Sequence, residues 1–262
     1  MHSQAAYLNV VDASAALASE FSCVETWNES HCSGYVAIHS DYIVVAIAGT
    51  NEAADWKTNT TKQHVPWNDG VHAYGVGQVH QGFFGYSQVV LRNVLRIFKS
   101  LGVDPETTIY VAGHSLGGAS ATIVSAMLRK LEWSVARCIT FGAPRCLNST
   151  AAVEYPIPLW RVQNAGDPVP FVPFHFLKSD YSHVGELLYQ GVKHCIDTEI
   201  GSLASRLWVY ARTVATAVAS WLEGGSFFTY LAKVPSHEVS EYIERLDGAI
   251  AFIGRENIGA SL

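Results

Sequence analysis

Charge is scarce in this chain. Asp, Glu, Lys and Arg make up 15% of its 262 residues, against about 25% in average soluble domains. Apolar residues reach 49%, too many for a disordered chain, and the absence of a G-X-Y or heptad period excludes a fibre. No Lys/Arg cluster appears and the net charge is −6, so nucleic acid is not an expected partner. Long hydrophobic runs are missing too. The greasiest stretch, 203–222, is interrupted by Arg206 and Arg212, which leaves no run of ~18 apolar residues and no expected membrane span. The cysteines Cys23, Cys32, Cys138, Cys146 and Cys195 form no CxxC pair, so zinc-site spacing is absent, and their odd number leaves at least one free thiol. Met1 to Tyr7 offers neither a basic n-region nor an apolar h-region. The chain therefore either stays inside the cell or is a mature form without its leader. Sequons at Asn28, Asn59 and Asn148 tip the expectation toward secretion.

The length suits one large α/β domain, which buries roughly three quarters of its unfolded surface without disulfides. No repeat, low-complexity tract or interdomain linker divides it. Residues 5–20 read as a helix, and 34–38 and 42–48 as β-branched strands around a polar turn. Residues 50–77 dissolve into Asn, Thr, Gly and Trp, reading as a long and therefore functional loop. An amphipathic helix is expected over 84–101, a short apolar strand over 109–112 and a mostly buried helix over 119–131. Strands follow at 138–141 and 159–162. Residues 203–223 read as a helix ended by Gly224 and Gly225, and 239–246 as a C-terminal helix. Strands alternating with long crossovers imply a largely parallel sheet covered by helices.

The segment that carries chemistry is Gly113-His114-Ser115-Leu116-Gly117-Gly118. It sits between the strand at 109–112 and the buried helix, the context in which GxSxG forms a strained turn exposing a serine nucleophile. The alternative, a glycine turn whose serine merely caps the helix, leaves the second glycine pair unexplained. The Leu116 N–H opens the outgoing helix, where unpaired donors favour an oxyanion. The orienting acid should follow the serine in the chain. Asp167 directly follows the strand at 159–162, with Asp180 and Asp197 as alternatives. His175, His183, His194 and His237 come later still, and spacing alone leaves His237 and His183 nearly even as the base.

Several blocks, in order, resemble the class 3 lipases, the filamentous-fungal family that also contains feruloyl esterases. They are Ile43-Val44-Val45-Ala46-Ile47-Ala48-Gly49-Thr50, Val79-His80-Gln81-Gly82-Phe83, the 113–118 elbow, Thr140-Phe141-Gly142-Ala143-Pro144-Arg145, Asp167-Pro168-Val169-Pro170, Tyr181-Ser182-His183-Val184-Gly185-Glu186, and Ser236-His237 with Tyr242. The resemblance implies an α/β-hydrolase fold, a central mostly parallel sheet flanked by helices, as one domain over 1–262. A lid-like loop would span about 50–77 and a helical insertion about 195–233. It favours His237 over His183, because the 181–186 block resembles a segment preceding the catalytic histidine.

It further implies a catalytic Ser115–His237–Asp167 set, with Thr50 as second oxyanion donor beside Leu116. Residues 51–65 would form the lid, anchored by Trp56. Val169, with Phe83 and His114 from the matched blocks, would line the substrate site. No metal or organic cofactor is needed. The chain departs from the family at Ala48, where an arginine is usual, and over 195–233, which matches nothing recognised. An apolar face in that stretch reads as ordinary core before it reads as a lipid-docking surface.

The resemblance implies acyl-enzyme hydrolysis of triacylglycerol or a similar lipid ester, with an oil–water interface as the expected place of action. The polar composition of 50–64 favours the alternative of a feruloyl or short-chain soluble esterase. A non-catalytic lipid-binding relative would be expected to lose part of the elbow or its partners, and this chain keeps them.

Overall fold

A computed structural model of the chain describes residues 17, 20–29, 31–49, 63–173, 180–190, 196–197, 234 and 237–246. Its centre is an eight-stranded sheet made of β1 (Cys23–Glu29), β2 (Cys32–Ile38), β3 (Ile43–Ile47), β6 (Ile109–His114), β7 (Val135–Phe141), β9 (Leu159–Asn164), β11 (Glu186–Gln190) and β12 (Ile196–Asp197), in that spatial order. From β3 through β11 every neighbouring pair is parallel. The β1–β2–β3 edge and the β11–β12 edge are antiparallel. β3 reads Ile-Val-Val-Ala-Ile and is buried along its whole length, as a strand covered on both faces must be.

Two helices explain the cover. α1 (Gln81–Leu101) carries Val90, Leu91, Val94, Ile97 and Phe98 on its buried face. It begins at His80, whose side chain accepts the Phe83 N–H, and stops at Gly102 in the left-handed region, φ 63°. α2 (Leu116–Lys130) is buried from Leu116 to Leu128. It packs against α1 through small residues, where the Ser87 and Ser120 hydroxyls meet at 3.1 Å. A short α3 (Ser149–Val153) and the C-terminal α4 (239–246) complete the described helices.

The expected loop over 50–77 is corrected in its second half. Residues from 63 onward build a second, four-stranded antiparallel sheet of β10 (Tyr181–Ser182), β8 (Leu147–Asn148), β5 (Ala73–His80) and β4 (His64–Asn68). Pro66 lies within β4, which is tolerated because β4 is an edge strand with a register shift between Pro66 and Asn68. Pro, Gly and polar residues hide the strand pattern, yet Trp67 and Val79 are core residues here. β1, rich in polar residues and buried only at Trp27, is a strand the sequence pattern does not announce. The expected helix over 5–20, the insertion over 195–233 and the first half of the loop lie largely outside the described residues. Among the described residues no helix is long and apolar enough to cross a membrane, and Cys23, Cys32, Cys138 and Cys146 are free thiols.

Candidate active site

Parallel strands deliver their C-terminal ends to one edge of the sheet, and the candidate groups gather there. β6 runs into α2 through Ser115, whose φ of 57° is unusual for a non-glycine residue. That turn works only with glycine around it. A Cβ on Gly113 would sit 2.2 Å from the Gly117 carbonyl oxygen, and one on Gly117 would sit 2.3 and 2.5 Å from the Ile47 and Ala48 carbonyl oxygens. The helix start is thereby pressed onto the end of β3. The Leu116 N–H lies in the first turn of α2, whose opening amides have no carbonyl of their own helix to bond.

The candidate base arrives from the other end of the chain. His237 Nε2 lies 2.8 Å from Ser115 Oγ, and its Nδ1 lies 2.9 and 3.1 Å from the two Asp167 carboxylate oxygens. A carboxylate accepts, so Nδ1–H donates to Asp167 and Nε2 is left to accept the serine proton; these partners assign the tautomer. The Asp167 carboxylate also receives the Val169 N–H at 2.9 Å and the Tyr242 hydroxyl at 2.5 Å. Tyr242 in turn accepts the Asn164 N–H at 3.1 Å. All of this is buried: Ser115, Asp167 and His237 expose 3%, 0% and 2% of their surface. Burial, then the adjacent Asp167 charge, pushes the Tyr242 phenol well above its ordinary pKa, so it stays protonated and donates.

Gly142, at the end of β7, makes room for this cluster. Its φ is +57°, and a Cβ there would fall 2.6 Å from Asp167 Oδ2 and 3.0 Å from both His237 Nδ1 and the Tyr242 oxygen. Neither Gly142 nor the Tyr242 hydroxyl is singled out by residue type or spacing. Their only sequence signal is membership of the matched blocks.

The competing candidates go elsewhere. His183 Nε2 lies 2.7 Å from the Pro170 carbonyl, so that ring braces the loop after Asp167, whereas the ring beside Ser115 Oγ is that of His237. Asp180 is solvent-exposed, and Asp197 belongs to the edge strand β12.

Of the residues named for the substrate site, His114 has its Nε2 2.6 Å from the His237 carbonyl and its ring 4.8 Å from the His237 ring. It is 5% exposed and faces His237. Phe83, 3% exposed, stacks on His80. Val169 is fully buried in a 3₁₀ turn, Val169–Phe171, just after Asp167. Thr50 and Trp56 lie outside the described residues. The chain leading to Thr50 is held at Ala48, whose carbonyl accepts the Tyr86 hydroxyl at 3.0 Å. A surface cleft of about 250 Å³ lies at the far end of α2, lined by Trp67, Tyr74, Arg129 and Lys130 among others, and none of the three site residues borders it.

Known proteins share this architecture. Lipase II from Rhizopus niveus superposes with a TM-score of 0.55 at 24% identity, covering 69% of this chain and 70% of that one. The chain thus has the α/β-hydrolase fold of the fungal lipases. Toxin TseL of Vibrio cholerae is 33% identical over 111 residues, 42% of this chain and 17% of the toxin. The secreted mono- and diacylglycerol lipase A of Penicillium camembertii is 27% identical over 156 residues, 58% of this chain and 49% of the lipase. The chain spans about half the length, or less, of these curated relatives. The model of the class 3 lipases matches residues 44–177, half of the chain, from β3 through the elbow and past Asp167. The chain belongs to the class 3 lipase family.

Proposed function

We propose that the chain is a serine carboxylic-ester hydrolase acting on lipid esters, triacylglycerol or similar, through an acyl-enzyme on Ser115. One observation carries the reading: a hydroxyl, an imidazole and a buried carboxylate in a continuous hydrogen-bonded line, 2.8 and 2.9 Å between partners. His237 takes the Ser115 proton as Oγ attacks the ester carbonyl, and Asp167 stabilises the imidazolium that forms. The Leu116 N–H, with that of Thr50, receives the oxyanion; one such donor is typically worth ~3 kcal/mol in the transition state. His237 then gives its proton to the departing alcohol. Water repeats the sequence on the acyl-enzyme and releases the acid.

The lipid class is supported by the family and by its relatives, among them a mono- and diacylglycerol lipase. Export from the cell belongs to the same reading, since the Penicillium relative is named as secreted. A second reading, a hydrolase of soluble esters, is favoured by the polar run Asn51, Lys57, Thr58, Asn59, Thr60, Thr61 and Lys62, where a surface-seeking cover should be apolar. Assaying triolein, short p-nitrophenyl esters, methyl ferulate and a phospholipid with the parent and Ser115→Ala tests both. Hydrolysis by Ser115→Ala at the parental rate refutes the nucleophile. A short ester cleaved with no rise in rate above its solubility limit, together with inert triolein, selects the soluble-ester reading.

A further inference from the structure

Two consecutive residues hold the two ends of His237. Ser115 meets its ring at Nε2, 2.8 Å away, and His114 meets its backbone carbonyl, 2.6 Å away. A carbonyl can only accept, so His114 Nε2 carries a proton and donates it. The His114 ring also lies against the His237 ring at 4.8 Å and the Tyr242 ring at 5.8 Å. We propose that His114 is a positioning residue, whose N–H clamps the His237 carbonyl and so sets the spacing between base and nucleophile; this rests on the reading of Ser115 as the nucleophile.

The His237 N–H bonds back to the Val234 carbonyl at 2.8 Å. The helix after it, α4, docks five residues later through Tyr242 on Asp167 and Asn164. Those contacts fix the carboxylate side of the ring. The carbonyl contact from His114 fixes the residue from the nucleophile's side, because His114 ends β6 and Ser115 begins the turn. Base and nucleophile are thereby referred to the same two residues of rigid backbone.

A displacement of 1 Å in a catalytic pair costs on the order of a hundredfold in rate. Burial, then the nearby His237, pushes the His114 pKa well below the ordinary histidine value. His114 therefore stays neutral when His237 becomes an imidazolium beside it, and adds no like-charge repulsion.

The test compares His114→Phe, which fills the space without a donor, with His114→Gln, which returns an amide N–H near the Nε2 position. The readouts are kcat and KM on p-nitrophenyl butyrate, the rate of Ser115 labelling by a fluorophosphonate, and Tm. The expected result for His114→Phe is a 10- to 100-fold fall in kcat with KM within twofold, labelling slowed in parallel, and recovery of at least tenfold in His114→Gln. A His114→Phe protein with parental kcat overturns the proposal, as does a folded His114→Gln protein no faster than His114→Phe. If His114→Phe does not fold, His114→Gln decides alone: kcat within tenfold of the parent supports the clamp, and any larger loss overturns it. A parent chain that neither hydrolyses the ester nor labels overturns the hydrolase reading and this one with it. An active, labelled parent matched by His114→Phe overturns the clamp only.

Discussion

His80 offers a quantitative test of how the fold handles a buried base. It joins β5 to α1, and its Nδ1 accepts the Phe83 N–H at 3.3 Å. A backbone amide only donates, so Nδ1 is unprotonated and the imidazole is neutral. The ring is 2% exposed, stacked on Phe83 at 4.1 Å and tilted against Tyr181 at 5.5 Å. Burial first, and the neighbouring His64 second, holds its pKa down at about 4. The unfolded chain titrates this residue near 6.5 and takes up a proton that the native state refuses. The sign follows: its contribution to stability is complete above about pH 6.5 and is lost as the pH falls toward 4. With these two values, linkage removes about 2 kcal/mol between pH 7.5 and pH 5.

His80→Asn keeps a side-chain oxygen to cap α1 but has nothing to titrate. Urea unfolding followed by tryptophan fluorescence, at pH 7.5 and 5, should show the parent losing about 2 kcal/mol more than the variant. His64 and His114, both lowered mainly by burial, remain in the two proteins, as does Asp180, which acts on His64 in the opposite sense. Their contributions cancel in the comparison. Equal pH dependence in parent and variant would refute the argument.

The remaining predictions concern the site itself. Asp167→Asn should lower kcat by about 10³- to 10⁴-fold while leaving Ser115 in place, because the amide cannot hold the His237 tautomer; steady-state hydrolysis of a p-nitrophenyl ester measures it. Tyr242→Phe removes a donor from a buried carboxylate and the acceptor of the Asn164 N–H. It should lower unfolding stability by about 1.5–3 kcal/mol in urea titrations at pH 7.5. Gly117→Ala drives a methyl into two backbone carbonyls at 2.3 and 2.5 Å, and neither is a flexible side chain. It should cut esterase activity at least about a hundredfold through displacement of the elbow, and a variant with parental activity contradicts the close approach of α2 to β3.

The part of the fold that reads directly from sequence is the part buried on both sides. Ile43 to Ile47 is uninterrupted β-branched or small and apolar, and it is a fully buried central strand. The run from 89 to 98 repeats at helical spacing and is α1. What escapes is the second sheet. His64-Val65-Pro66-Trp67-Asn68 and Ala73 to His80 carry Pro, Gly and polar residues because each has one face in water, and β4 is an edge whose ladder a proline does not break. Period-two alternation is weak in segments so short, and pairing between residues such as Val79 and Leu147, 68 positions apart, leaves no local signal.

The site divides along the same physical line. Ser115 announces itself because strain imposes a local demand: a positive φ needs glycines within two residues, and both stand in the chain. Asp167 follows from strand order, since an acid just past a parallel strand is delivered to the same edge as the elbow. His237 carries no such mark. Nothing around it distinguishes a base from a packed histidine, and only the resemblance separates it from His183. The structure accounts for that silence. His237 is positioned by groups remote in sequence: the N–H of His114, 123 residues away, and the carboxylate of Asp167, 70 residues away. A residue held by its neighbours leaves a motif, whereas one held across the fold leaves only a lone side chain. His114, which bonds its carbonyl, Tyr242, which bonds its carboxylate partner, and Gly142, which leaves room for both, are therefore where changes outside Ser115, His237 and Asp167 should alter rate before they alter substrate affinity.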